Sequence, residues 1–159
     1  MKNADQPFLE RAIEKAKESV AKGGFPSGAI LVKDGEVIGE GLCLGGALHD
    51  PTSHGEIAAI RSACATLKTT ELKDAVLYAA MSPCVMCLSA AMWSGVVRIV
   101  YALAQEKVAA QYYGGHYEMA ALNNTFLTPI KLDHLKKLEP EALAIVRAWE
   151  KQWAAPKVG

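Results

Sequence analysis

The chain has 159 residues, of which 51% are apolar, and its Lys and Arg residues balance its Asp and Glu residues to a formal net charge of +0 at pH 7. This composition is enough for one hydrophobic core, and we predict a single domain over residues 1–159. A balanced charge excludes the global positive field that gathers nucleic acid or binds an anionic membrane surface, and it favours a small uncharged ligand.

The sequence also indicates the compartment. No apolar stretch approaches the roughly 20 residues of a membrane helix, and the first segment, MKNADQPFLERAIEKAKESV, lacks the apolar centre of a signal peptide. Four cysteines in a chain of this length do not form a disulfide scaffold. We therefore predict a cytoplasmic protein with no membrane partner.

The first part of the chain predicts a helix followed by a β-hairpin. Apolar residues recur at helical spacing from Phe8 to Val20, and Gly23 ends the run. The stretch GAILVKDGEVIGEGL contains two strand-like segments, and Asp34 and Gly35 between them are a strong hairpin signal. The glycine-rich segment that follows, GGALHDPTS, is predicted to be a loop.

The middle of the chain alternates helices with buried strands. In HGEIAAIRSACATL a helical pattern places four apolar residues on one face, namely Ile57, Ile60, Cys64 and Leu67. DAVLYAA and VVRIVYAL are continuous apolar strands, and the helix between them, CVMCLSAAMWSG, carries Trp93, which we predict to lie in the core. This order predicts an α/β fold with helices on both faces of the sheet and its last strands parallel.

The pattern is weaker after Leu103. Short helical pieces are interrupted by Gly114 and Gly115, TPIKLD is predicted to be an edge strand, and residues 138–159 are predicted to be a C-terminal helix and tail. Trp149 and Trp153 lie four residues apart on this helix. Either they pack the helix onto the core, or the helix caps a pocket, of this chain or of a neighbour.

Two cysteines in MSPCVMC, residues 81–87, are the strongest chemical signal. Cys84 and Cys87 are three residues apart on a predicted helix, so their side chains share a face about 5–6 Å apart, within reach of one zinc ion. We predict Ser82 as the N-cap and Pro83 as the first helical residue, which places both thiols where the helix dipole lowers a thiolate pKa. A redox disulfide, a structural zinc knuckle and an open catalytic zinc site all use such a pair. Cys43 completes no knuckle spacing, which favours the open site.

The segment SHGEIAAI offers the remaining site residues. Positions two apart on a helix diverge by about 200°, so His54 and Glu56 are not expected to bind the same ion. We predict that Zn²⁺ is bound by His54, Cys84 and Cys87, and that Glu56 is the catalytic residue that moves protons of the metal-bound water. Alternatively, Glu56 closes a capping box with Ser53.

These motifs resemble one known family. HGE at 54–56 followed by PCVMC at 83–87 is similar to the H-x-E and P-C-x-x-C signature of the zinc-dependent cytidine and deoxycytidylate deaminase superfamily. The segment DPTSHGEIAAIRSAC is especially similar to bacterial guanine deaminases and other free-nucleobase deaminases. The resemblance implies a three-layer α/β/α cytidine deaminase-like fold with a mixed central sheet of about five strands. It also implies a homodimer and a hydrolytic reaction that releases ammonia.

The resemblance further implies a substrate class. We expect a free amino-substituted nucleobase or related heterocycle of the guanine or cytosine type, with no nucleic-acid partner. A tRNA adenosine deaminase is an alternative that the interleaved acidic and basic residues of KLDHLKKLEPEALAIVR disfavour, and a non-catalytic zinc protein is another. The residues predicted to contact the substrate are Phe25, Cys43, Tyr113, Trp149 and Glu150.

One position departs from the family pattern. Such deaminases usually carry an Asn just after the second strand, and this chain has Cys43 there. A thiol cannot replace the two-sided hydrogen bonding of an amide. An unusual base such as isocytosine, or an aminotriazine, is therefore also a candidate substrate.

Overall fold

Helices and strands alternate along the chain and build one mixed sheet between two layers of helix. The structure is a computed structural model, and it describes residues 3–154. The strands are β1 Gly28–Lys33, β2 Glu36–Leu42, β3 Val76–Met81, β4 Arg98–Leu103 and β5 Lys131–His134. The helices are α1 Gln6–Ala21, α2 Gly45–Leu48, α3 Gly55–Leu67, α4 Val85–Ser94, α5 Met119–Asn123 and α6 Glu139–Ala154. Three 3₁₀ turns cover Gln105–Lys107, Ala110–Tyr113 and Lys136–Leu138.

The sheet has the strand order β2-β1-β3-β4-β5. Strand β1 is antiparallel to both β2 and β3, whereas β4 is parallel to β3 and β5 is parallel to β4. The hairpin between β1 and β2 turns at Asp34 and Gly35, and both have the positive φ that a tight two-residue hairpin turn requires. The predicted five-stranded mixed sheet, its first hairpin and its parallel last strands are confirmed.

Each face of the sheet is covered by helices because side chains alternate along a strand. On one face, α1 and α6 pack against β1, β3 and β4, over buried residues that include Ile30, Tyr78 and Val100. On the other face, α3 and α4 cover neighbouring positions such as Leu77 and Ile99. Among residues 3–154, no helix is long and apolar enough to cross a membrane. Of the predicted C-terminal segment, α6 is formed, and residues 155–159 lie outside the described residues.

The predictions of one loop and of one helix face were wrong in detail. Residues 45–48 of the predicted loop form α2, because backbone N–H groups of the segment bond to the carbonyls of Leu44 and Gly45. In α3 the fully buried face carries Ala59 and Ala63, whereas Leu67 is 48% exposed. The small alanine side chains let α3 lie directly on the glycines of β2, where a larger face does not fit.

The prediction that Trp93 lies in the core was also wrong, since this residue is 81% exposed. Helix α4 turns Leu88 and Ala91 towards the sheet, and both are fully buried. A residue two positions beyond Ala91 is rotated by about 200° around the helix. Helix α4 therefore has apolar residues on two faces, one against the sheet and one towards solvent.

The start of α3 reaches the sheet because of a glycine contact. A Cβ atom added at Gly55 would lie 2.8 Å from the Cα of Gly28 on β1, which is closer than real Cβ contacts. Only a residue without a side chain permits this approach. The contact brings His54 and Glu56, the flanking residues of Gly55, to the end of the sheet.

A charged cluster ties the N-terminus to the far side of the sheet. Both terminal nitrogens of the Arg98 guanidinium donate to the carboxylate of Asp5, each at 2.8 Å, and the Tyr78 hydroxyl donates to the same carboxylate at 2.8 Å. Arg98 also donates to Asp133 on β5. Hydrogen bonding from Arg98 holds the pKa of Asp5 below its usual value against the opposing effect of burial.

We expect Asp5→Asn to lower the free energy of unfolding by about 1–3 kcal/mol at pH 7, because a charged, bidentate hydrogen-bonded acceptor is lost. The folded-state pKa of Asp5 is depressed, so its contribution is present above the unfolded value near 3.9 and is lost as the pH falls through the folded value. Urea denaturation between pH 7 and pH 3 measures this, and the difference between variant and wild type should shrink at the acid end. The exposed Asp34→Asn is the control and should change little at any pH.

Candidate active site

The N-termini of α3 and α4 meet at one end of the sheet. His54 is the N-cap of α3 and Cys84 is the N-cap of α4, and both have extended backbone conformations. The prediction of Ser82 as N-cap and Pro83 as first helical residue was therefore wrong. The sulfur of Cys84 accepts the backbone N–H of Cys87 at 3.5 Å, so the thiol itself takes the capping role.

Three side chains at this junction form a metal-ligand set. Nδ1 of His54 lies 3.5 Å from Sγ of Cys84 and 3.5 Å from Sγ of Cys87, and all three ligand atoms lie within 4.8 Å of one another. Tetrahedral zinc, with bonds of about 2.3 Å to sulfur and about 2.0–2.1 Å to nitrogen, requires a sulfur–nitrogen separation of about 3.5 Å. One imidazole and two thiols are donors that zinc prefers. The geometry and the chemistry of the three residues both fit Zn²⁺.

Glu56 lies beside the ligand set without belonging to it. Its side chain is 4% exposed, and its Oε2 accepts from Sγ of Cys87 at 3.4 Å. Burial, reinforced by the negative charge of Cys84, raises the pKa of Glu56 to about 7. The N-cap of α3 is His54, without a side-chain capping bond, so Ser53 does not form the alternative capping box. The position of Glu56 is suited to exchanging protons.

The thiol of Cys84 is the most acidic group of the cluster. A hydrogen bond from Cys87, assisted by one from His54, lowers the pKa of Cys84 to about 4 despite burial. A bound divalent cation favours the deprotonated form of every thiol that it contacts. The hydrogen bond with Cys84, together with burial, raises the pKa of Cys87, so without a cation the pair carries a single thiolate, at Cys84.

A cavity of about 490 Å³ opens onto Glu56, His54 and Cys84. Three aromatic rings form one wall: the ring centroid of Phe25 lies 5.2 Å from that of Tyr112 and 5.1 Å from that of Trp149, both edge to face. This wall combines the loop before β1, the 3₁₀ turn Ala110–Tyr113 and helix α6. It forms an apolar slot over a polar floor, the usual composition of a small-molecule site.

The structure brings most of the predicted substrate contacts to this cavity. Phe25, Cys43, Tyr113 and Trp149 line it, together with Trp153. Helix α6 therefore covers the pocket of its own chain. The buried Tyr113 hydroxyl donates to the carbonyl of Ser82 at 2.8 Å and lies 3.0 Å from the hydroxyl of Ser82, which attaches the 3₁₀ turn to the segment before Cys84.

Glu150 is placed differently from the other four. It is not among the residues that line the cavity. Its Oε1 accepts from the Tyr112 hydroxyl at 3.0 Å and its Oε2 accepts from Arg147 at 2.8 Å. From behind the aromatic wall, outside the cavity, the carboxylate thus fixes the position of Tyr112.

Other lining residues were missed from the sequence. Met81, the last residue of β3, and Ser82 after it lie at the cavity, and their position just before the Cys84 motif could have identified them. Gln111 of the 3₁₀ turn Ala110–Tyr113 also lines it, and no periodic pattern in the surrounding sequence identifies that residue. Among residues 3–154, no Lys or Arg lines the cavity.

Comparisons with known proteins agree with this site. The family model described as the cytidine and deoxycytidylate deaminase zinc-binding region matches residues 2–103. The chain is 44% identical over 98 residues to a guanine deaminase of Bacillus subtilis (strain 168), covering 61% of this chain and 63% of that protein. It is 38% identical over 100 residues to a tRNA-specific adenosine deaminase of Aquifex aeolicus (strain VF5), covering 63% of this chain and 66% of that protein. The match spans less than two thirds of either relative.

The fold comparison extends further along the chain. The solved structure of a guanine deaminase from Nitrosomonas europaea has a TM-score of 0.80 at 26% sequence identity, covering 91% of this chain and 83% of that chain. The matched family model includes both His54 and the Cys84 motif and covers more than half of the sequence. The chain belongs to the cytidine and deoxycytidylate deaminase zinc-binding family.

Proposed function

We propose that this protein is a zinc-dependent hydrolase that deaminates a free amino-substituted nucleobase or related heterocycle, of the guanine or cytosine type. The observation that carries the proposal is the buried carboxyl of Glu56 beside a zinc-compatible ligand set, at the floor of an aromatic-walled cavity. The resemblance to guanine deaminases supports the same reaction class.

His54, Cys84 and Cys87 would hold the zinc. When bound there, zinc supplies a water whose pKa is lowered to about 7, and so a hydroxide at neutral pH. Glu56 would accept the proton that the attacking water loses and deliver it to the ring nitrogen of the base. It would then move the proton of the newly added hydroxyl to the amine, so that the carbon–nitrogen bond breaks, ammonia leaves and a ring carbonyl remains. The rings of Phe25 and Trp149 hold the heterocycle and exclude bulk water from this exchange.

The cavity supports a free base over an RNA. An uncharged heterocycle suits this cavity, because no Lys or Arg lies among its described lining residues. Helix α6 also places Trp149 and Trp153 along the cavity. The similarity to tRNA-specific adenosine deaminases keeps tRNA as the second candidate substrate.

Cys43 bears on the identity of the base. It is buried and it lines the cavity. Burial raises the pKa of Cys43 to about 12, so this wall presents a neutral thiol. A thiol cannot pair with both a donor and an acceptor of a base as an amide does, so bases other than guanine and cytosine, such as isocytosine and aminotriazines, belong among the test substrates.

We expect the purified protein to contain about one zinc per chain, and Cys84→Ser to lose most of it because one of three protein ligands is removed. Metal analysis by mass spectrometry measures both. Cys64→Ser is the matched control, since Cys64 lies outside the ligand set, and it should keep its zinc. Full zinc content in Cys84→Ser would contradict the assigned ligands.

We expect ammonia release from at least one member of a panel of guanine, cytosine, isocytosine, adenine and aminotriazines. Glu56→Gln should lower kcat by at least about 100-fold with zinc retained, because the proton-transfer group is lost. Glu36→Gln, an exposed carboxylate in the hairpin, is the control and should remain active. Zinc-loaded wild type that is silent on the panel but deaminates tRNA would favour the second candidate.

We also propose that the protein is a homodimer through the outer face of α4. Met86, Ala90 and Trp93 form a stripe on this helix, which carries no charged residue, and Trp93 is largely exposed. A large exposed aromatic residue on an uncharged helix is typical of an interface.

The four free cysteines fit a reducing compartment such as the cytoplasm.

We expect Trp93→Glu to convert the dimer to a monomer, because it introduces a charge at the centre of this stripe. Sedimentation velocity measures the change in mass. Ala21→Glu, at an exposed position of α1 on the opposite face of the sheet, is the control and should leave the dimer intact. A monomeric wild type would refute this interface.

A further inference from the structure

Ser19 of α1 is a fully buried polar residue that the reaction described above does not use. Its side chain is 0% exposed, and it does not line the cavity. Its hydroxyl lies 2.7 Å from the carbonyl oxygen of Phe25 and 3.1 Å from that of Cys43, as donor, and it accepts the N–H of Cys43 at 3.2 Å. One hydroxyl therefore bridges two segments that are far apart in the sequence.

Both of these segments form walls of the cavity. Phe25 belongs to the aromatic wall, and Cys43 faces the region of Glu56. Their backbones also meet directly, since the N–H of Phe25 donates to the carbonyl of Cys43 at 3.1 Å. The Ser19 hydroxyl contacts both backbones where they meet, and so connects Phe25 and Cys43 to α1.

The surroundings of Ser19 leave little freedom for adjustment. The N–H of Gly24 donates to the backbone carbonyl of Ser19 at 2.8 Å, and a Cβ atom added at Gly24 would lie 2.6 Å from the Ser19 hydroxyl oxygen. The chain therefore crosses over Ser19 at a residue without a side chain. The backbone positions of Phe25 and Cys43 therefore depend on the position of α1.

We propose that Ser19 is a positioning residue for the substrate. By holding Phe25 and Cys43 at a fixed separation, it sets the width of the slot that receives the heterocycle, without touching the heterocycle itself. The proposal rests on the proposed function of the cavity. Loss of the hydroxyl removes the acceptor for the N–H of Cys43 and the donor to Phe25, so the wall relaxes and binding weakens.

A second buried hydroxyl provides a matched control. Ser94 of α4 is also buried, and its hydroxyl donates to the carbonyl of Ala91 at 2.9 Å within the same helix. It connects no cavity residues. Ser94→Ala should therefore lower stability without affecting substrate binding, whereas Ser19→Ala should affect both.

The experiment compares wild type, Ser19→Ala, Ser19→Cys and Ser94→Ala, all zinc-loaded, on the panel base that wild type deaminates fastest. We expect Ser19→Ala to raise KM about 10-fold while kcat changes less than about 2-fold, since the reacting groups stay in place. Ser19→Cys, with a weakly hydrogen-bonding thiol of similar shape, should give an intermediate KM. If Ser19→Ala does not fold, the KM of Ser19→Cys tests the proposal instead. Ser94→Ala should keep the wild-type KM.

Amide hydrogen exchange measured by NMR gives a readout that is independent of activity. Ser19→Ala should accelerate exchange at the N–H groups of Cys43 and Phe25, and Ser94→Ala should not. An unchanged KM with unchanged exchange at these amides, in a variant that is merely less stable, would overturn the role of Ser19 alone. Wild type inactive on every base would instead overturn the proposed function and, with it, the substrate-positioning role.

Discussion

The meeting of two helix N-termini at the end of the sheet is the constraint on which the site depends. His54 and Cys84 are both N-caps, so their extended backbones turn their side chains away from the helices and towards each other. This arrangement requires α3 to lie very close to β1, and the contact between Gly55 and Gly28 permits it. The ligand distances that fit zinc follow from this backbone geometry.

The same geometry separates the roles of neighbouring residues. His54 precedes the first turn of α3 and faces the cysteines, whereas Glu56 lies within that turn and is buried against Cys87. Because Glu56 is buried beside the negative charge of Cys84, its carboxyl has a pKa near neutrality. A group of this kind can both accept and donate a proton at physiological pH, as a hydrolytic deamination requires.

The walls of the cavity have a different origin from its floor. The floor comes from two short motifs, but the walls combine the loop before β1, the segment after β2, a 3₁₀ turn and α6. These segments are tied together by individual hydrogen bonds, such as that of Tyr112 to Glu150 and those of Ser19 to Phe25 and Cys43. The matched family region, residues 2–103, includes both floor motifs, whereas the 3₁₀ turn and α6 lie outside it.

Elements with local signals could be predicted from the amino-acid sequence. The Asp34-Gly35 turn, the buried strands and the cysteine pair of the Cys84 motif were predicted because periodicity, turn chemistry and ligand spacing act over a few residues. The more distant His54 was linked to that motif by its resemblance to the family signature. Three features could not be predicted in this way: Trp93 faces solvent, Cys84 is itself the helix cap, and Glu150 lies behind the aromatic wall. Such outcomes depend on which face of an element meets another and on hydrogen bonds between distant segments. A hydrophobic pattern in one stretch of chain does not contain that information.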